Sequence, residues 1–124
     1  MADKITIQIT NIYCYGTSES GHDEVYLLCQ PDAGFMSRYP SKLGSYVSLG
    51  KGDKWHLDKP NLYLEFEYDL LVTLWDQDVK YDPAVATYLI SYDYNRDNLA
   101  QSKSIRIKNP NGAEYQIDIN LVKS

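Results

Sequence analysis

The apolar residues of this chain come in short runs, and most of those runs alternate with polar residues. In "KITIQIT", Ile5, Ile7 and Ile9 share one side. In "NLYLEFEY", Leu62, Leu64, Phe66 and Tyr68 do the same, with Glu65 and Glu67 on the other. A side-chain period of two belongs to a strand with one face buried, and no long segment of period 3.6 competes with it. Further runs, "EVYLLCQ", "SYVSL", "VATYLISY", "SIRIK" and "EYQIDINLV", are separated by turn-forming residues such as "GTSESGHD" and "NPNGA". "LLVTLW" is nearly continuous in apolar residues and predicts a central strand covered on both faces. Pro31 to Leu43 and Gly50 to Pro60 read as connections, and Trp75 as core. Eight short strands with turns between them predict an all-β, eight-stranded antiparallel β-sandwich. The 124 residues suit a single domain spanning 1–124.

Charge narrows the partners. Seventeen acidic against twelve basic residues give a net charge of −5, and no basic run appears, so nucleic acid is a poor fit. No stretch approaches the roughly 20 apolar residues of a membrane helix. "MADKITIQIT" lacks the layout of a cleaved signal, which implies a cytoplasmic chain or one exported without a cleaved signal peptide. Cys14 and Cys29 flank a turn near Glu19; a hairpin there sets Cys14 opposite a residue near Glu24, so both read as free thiols.

Following the strands up and down gathers the acids. If each strand reverses direction, the loops Tyr15–Asp23, Gly50–Pro60 and Asp76–Ala84 lie at one end, with the turn around Asn111. Glu19, Asp23, Asp53, Asp58, Asp76, Asp78 and Asp82 then share a rim. Calcium takes 6–8 oxygen ligands, mostly carboxylates and carbonyls, and converging carboxylates repel unless a cation sits among them. A lone Asp is more simply a turn former, bonding its own backbone.

Two motifs carry a family resemblance. "VTLWDQD" closely matches a strand that ends in Asp-x-Asp, and "HDEVYLL" loosely matches an earlier Asp-led strand. On these the chain resembles a C2 domain, over nearly its whole length. The resemblance implies a calcium site formed by Asp23, Asp76 and Asp78, with Asp82 and Glu19 as weaker candidates. It also implies contact between the bound calcium and an anionic ligand or membrane surface. Trp55, Val79 and Tyr81 offer apolar groups at the same rim, either as ligand or membrane contacts or as caps on the open end of the sandwich.

Other chemistry fits less well. An EF-hand counted from Asp76 puts Tyr81 where Gly is needed and Thr87 where Glu is needed. Cys14, His22 and His56 lack the paired spacing of a zinc motif. Glu65, Glu67 and Asp69 read as a solvated strand face rather than a glycosidase pair. No nucleophile triad or phosphate loop is present, so the expectation is a non-enzymatic binding module, monomeric by default. The alternatives are a calcium-independent protein-interaction module, such as an adaptor or secretion-assembly component, and a carbohydrate-binding module using Tyr and Trp faces.

Overall fold

The computed structural model describes residues 4–18, 21–57, 62–77, 84–91, 102–110 and 112–123. Through them run ten strands: β1 (Ile5–Gly16), β2 (His22–Pro31), β3 (Ser37–Tyr39), β4 (Val47–Gly50), β5 (Lys54–His56), β6 (Leu62–Phe66), β7 (Asp69–Asp76), β8 (Ala84–Ser91), β9 (Ser102–Lys108) and β10 (Glu114–Lys123). They form two antiparallel sheets. The first has the order β5-β1-β10-β9, with β6 also paired to β1. The second has the order β3-β2-β7-β8, with β4 also paired to β2. The all-β sandwich is the expected architecture, with β3 and β5 as two short strands beyond the eight. Among the described residues no helix is long and apolar enough to cross a membrane.

The core is the alternation made physical. Ile5, Ile7, Ile9 and Ile12 of β1 face Leu27, Leu70, Val72 and Leu74 of the other sheet's strands, all at most 1% exposed. Period two alone would turn Ile12 outward after Ile9. A bulge prevents this: Ile9 pairs with Ile119 and Asn11 with Asp118, leaving Thr10 as the extra residue. One added residue reverses the parity, and Ile12 and Cys14 return to the core.

Several local expectations need correction. The segment from Gly50 to Pro60 is not simply a loop: β5 pairs with β1 there, and Leu57 is buried. Likewise, β3 lies within the 31–43 connection. β1 and β2 do not form a hairpin; they belong to different sheets, so Cys14 faces Tyr115 in register rather than a residue near Glu24. Both cysteines are free and buried, and burial pushes the Cys29 thiol up to about 12. Trp75 is not core. Leu74 and Asp76 face inward, so the residue between them faces out, pairing with Tyr26. Its indole Nε1 is shielded from solvent and has no hydrogen-bond partner among the described residues.

The strand directions bring the loops after β1, β4 and β7 and the β9–β10 turn to one end. Gly52 N–H donates to the Cys14 carbonyl at 2.7 Å, and Cys14 N–H donates to the Asp53 carbonyl at 2.9 Å. Gln77 N–H donates to the Glu24 carbonyl at 2.7 Å. At Gly16 a Cβ would lie 2.8 Å from the Gly112 carbonyl oxygen, so only glycine lets the β1 end pass this turn.

Candidate functional site

Asp23, the second residue of β2, and Asp76, the last of β7, both point inward at this end, and both are buried. Strand pairing dictates the meeting: Val25 pairs with Asp76, so the two carboxylates start from neighbouring strands and lean into the same gap between sheets. Two carboxylates at the mouth of a hydrophobic core need donors, because an unpaired buried charge is costly.

The donors are specific. Ser18 N–H donates to both Asp23 oxygens, each at 3.0 Å. The Tyr115 hydroxyl, reaching up from inside the core, donates to Asp23 Oδ2 at 2.5 Å. That length is typical of a charge-assisted O–H···O⁻ bond. Asp76 Oδ1 accepts the Glu24 N–H at 2.8 Å. The Ser18 hydroxyl then lies 2.8 Å from Asp23 Oδ1 and 3.1 Å from Asp76 Oδ2.

A hydroxyl has one proton, so Ser18 can donate fully to only one of the two carboxylates. The two oxygens are no farther apart than those two contacts laid end to end. Two unit charges roughly 6 Å apart repel by about 3 kcal/mol at an effective dielectric near 20. Among the described residues Lys4–Glu65, His22–Asp53 and Arg106–Glu114 form ion pairs, and none of these reaches Asp23 or Asp76. The local electrostatics follow. Desolvation raises the Asp76 carboxyl above its ordinary value, and the Asp23 charge adds to this against the Glu24 N–H and the Ser18 hydroxyl. Burial raises the Tyr115 phenol strongly, and its bond to Asp23 raises it further, so it stays a donor. Cys14 is raised mainly by desolvation.

The donor chemistry can be tested against a hard cation. Asp23 accepts the Ser18 N–H and the Tyr115 hydroxyl and holds the shorter contact to the Ser18 hydroxyl, while Asp76 accepts the Glu24 N–H and has only the longer contact to that same hydroxyl, so it keeps more acceptor capacity. The Ser18 hydroxyl can rotate, which would free an Asp23 lone pair and remove the conflict over its proton. Oxygen donors with excess negative charge are the chemistry calcium takes, but the two described carboxylates fall short of the about 6–8 oxygens it needs. Among the described residues no group of three or more His, Cys, Asp or Glu is gathered for a metal.

The remaining predicted residues divide in two. Glu19, Asp58, Asp78, Val79, Tyr81 and Asp82 lie outside the described residues. Asp53 accepts the Gly50 N–H at 2.8 Å and sits 3.8 Å from His22 Nε2, an exposed turn. Trp55 pairs with Ile12 and is partly buried against the core. His22 and His56 are exposed, whereas Cys14 is buried, so they form no cluster. Glu65 is exposed and bonds Lys4 at 3.3 Å.

Ser18 and Tyr115 are the residues that sequence reasoning missed. Tyr115 carried a usable signal: it starts an inward set otherwise made of Ile117, Ile119 and Leu121, and a buried phenol needs a partner. Ser18 carried none beyond turn composition.

No family model and no curated protein matches the sequence. Solved structures are similar in fold. One, described as the structure of a C2 domain, superposes with a TM-score of 0.60 at 12% identity, covering 95% of this chain and 98% of that one. CC2D1B, from a structure on ESCRT-III activity in nuclear-envelope reformation, gives 0.61 at 7% identity, covering all of this chain and 56% of that one. Human GIVD cytosolic phospholipase A2, in complex with an inhibitor and terbium chloride, gives 0.54 at 10% identity. This chain spans 18% of that enzyme's length.

Proposed function

On the premise that this chain is a divergent C2-like domain, we propose that it is a non-enzymatic binding module whose acidic loop end holds calcium. Through calcium it would meet an anionic ligand or membrane surface. The observation that carries this reading is the pair of buried carboxylates, Asp23 and Asp76, contacting one Ser18 hydroxyl. Asp23, Asp76 and Asp78 would be the principal ligands, with Asp82 and Glu19 as secondary ones. When bound, calcium supplies two positive charges that offset the carboxylate repulsion and leave coordination sites for an anionic headgroup. The chain's own part is to hold the carboxylates rigidly: Glu24 N–H orients Asp76, and Tyr115 with Ser18 N–H orients Asp23. Trp55, Val79 and Tyr81 are the apolar contacts proposed for the same end.

Sedimentation with phosphatidylserine vesicles tests the reading. Binding in calcium that is lost in chelator and in Asp76→Asn supports it; equal sedimentation in both conditions removes calcium from the account. A second reading, a calcium-independent protein-interaction module, draws on Asp23. Its bonds from the Ser18 N–H and the Tyr115 hydroxyl, with the near Ser18 hydroxyl, suit a purely structural carboxylate. That reading predicts no calcium effect on the vesicles or on the fold.

A further inference from the structure

The opposite end of the sandwich carries a second surface. β2 leaves its sheet through Pro31–Gly34, a tight turn in which Gly34 N–H donates to the Pro31 carbonyl at 2.9 Å. Asp32 and Ala33 both take positive φ, 53° and 54°. Such a turn ordinarily uses Asn-Gly or Asp-Gly, so Ala33 is held there at a cost in local conformational energy. What holds it is Asp32. Its carboxylate accepts the N–H groups of Glu67 at 2.9 Å, Tyr68 at 2.7 Å and Asp69 at 3.2 Å, and its own N–H donates to the Asp69 carbonyl at 2.8 Å. Slight burial would raise this carboxyl, but the three N–H groups and the Lys4 charge hold it below the ordinary carboxylate range. The 31–36 turn and the β6–β7 turn are thereby fixed to each other.

From this fixed end three large apolar side chains stand in water. Phe35 is 97% exposed, Tyr68 67% and Met36 57%. The chain has two phenylalanines, and the other, Phe66, is buried in the core. Single exposed apolar residues are ordinary, whereas here three fall on one end that four hydrogen bonds brace. Among the described residues the charges in these turns are acidic: Asp32, Glu67 and Asp69 lie in them, and Glu65 lies on β6. Lys4 is drawn to Glu65 at 3.3 Å. Arg38 is turned away, donating to the carbonyls of Pro40, Lys42 and Ser45. Among the described residues these four carboxylates outnumber Lys4 at the end that carries Phe35, Met36 and Tyr68.

We infer that the Phe35–Met36–Tyr68 platform docks a cationic, amphipathic peptide segment of a partner protein. The apolar side chains supply the contact area, and the surrounding carboxylates favour Lys or Arg on the partner. The same carboxylates would meet an anionic membrane with repulsion, so this end is not a second lipid face. It lies at the far end of the sandwich from Asp23 and Asp76, so both ends can be occupied together.

The test uses the whole chain and two labelled synthetic helical peptides, one of Leu and Lys and one of Leu and Glu. The Leu/Lys peptide is expected to raise anisotropy in a salt-sensitive manner and to shift amide resonances of residues 32–36 and 67–69. Phe35→Ser with Met36→Ser, both surface changes, should weaken it about tenfold, the loss typical of a hot-spot aromatic. Glu67→Gln should weaken it less and reduce the salt dependence. Four results overturn the proposal: no binding of the Leu/Lys peptide; equal binding of the Leu/Glu peptide; shifts confined to the acidic loop end; or binding unchanged in the Phe35/Met36 variant. A self-association abolished by that variant would assign the platform to a second copy and also overturn it.

Discussion

Tyr115→Phe removes one hydroxyl and leaves the ring in place, which makes it a clean probe of the buried carboxylate network. The ring is fully buried, so its packing and apolar area are retained and no cavity forms. What is lost is the 2.5 Å bond to Asp23 Oδ2. Hydrogen bonds to charged groups contribute about 1.5–3 kcal/mol, and a buried acceptor deprived of its donor bears most of that loss. With a urea slope of roughly 1–3 kcal/mol/M, the midpoint should fall by about 1 M. The thermal midpoint should fall by roughly 5–12 °C for a chain of this size. The assay is equilibrium urea unfolding in chelator of the parent, Tyr115→Phe, Asp23→Asn and the double variant. The cycle should give a coupling of about 1–2 kcal/mol between the two groups. A Tyr115→Phe variant within about 0.5 kcal/mol of the parent, with no coupling, would refute the reasoning. The phenol would then be satisfied equally well without Asp23.

Asp76 behaves in the opposite sense from a salt-bridged acid. Its folded pKa is raised, so its charge opposes folding above that value, and the penalty fades as the pH falls toward the unfolded value of about 3.8. Asp76→Asn, which keeps an acceptor for the Glu24 N–H, should therefore stabilise the chain in chelator at neutral pH, with the gain shrinking near pH 4; urea unfolding at the two pH values reads it. Deleting Thr10 should cost about 3 kcal/mol or more, because the lost bulge turns Ile12 and Cys14 outward, whereas Thr10→Ala should cost about 1 kcal/mol or less; circular dichroism melts separate the two. Cys29 is buried and its thiol is pushed up to about 12, so a thiol reagent should label it only as the chain unfolds, at a rate that rises with urea.

The parity of the strands was legible because burial enforces it. Ile5, Ile7 and Ile9, or Leu62, Leu64 and Phe66, cannot alternate in sequence without facing one way in a strand. Strand reversal then placed Asp23 and Asp76 at one end, and β2–β7 pairing brought them side by side. Turn composition, by contrast, does not distinguish a hairpin from a crossing between sheets. "GTSESGHD" serves either, and the residues near it crossed. A bulge is also silent in sequence, since Thr10 looks like any outward residue until the next apolar position, Ile12, breaks the count. Trp75 was read by hydrophobicity when parity against Asp76 decided its face. β3 and β5, three residues each, are too short to show a period, and depend on the edges of β2 and β1. Ser18 acts through a backbone N–H as well as its hydroxyl, and a backbone donor has no residue-type signature.

Thermal unfolding of the parent chain and Asp76→Asn, each in millimolar calcium and in chelator, tests the central claim most directly. Calcium at about 100 times its dissociation constant adds about 2.7 kcal/mol, which raises the midpoint of a domain this size by roughly 10 °C. The account predicts that rise in the parent and its absence in Asp76→Asn, whose chelator midpoint already exceeds the parent's. A parent midpoint that does not move with calcium would contradict it and leave Asp23 and Asp76 as structural carboxylates alone.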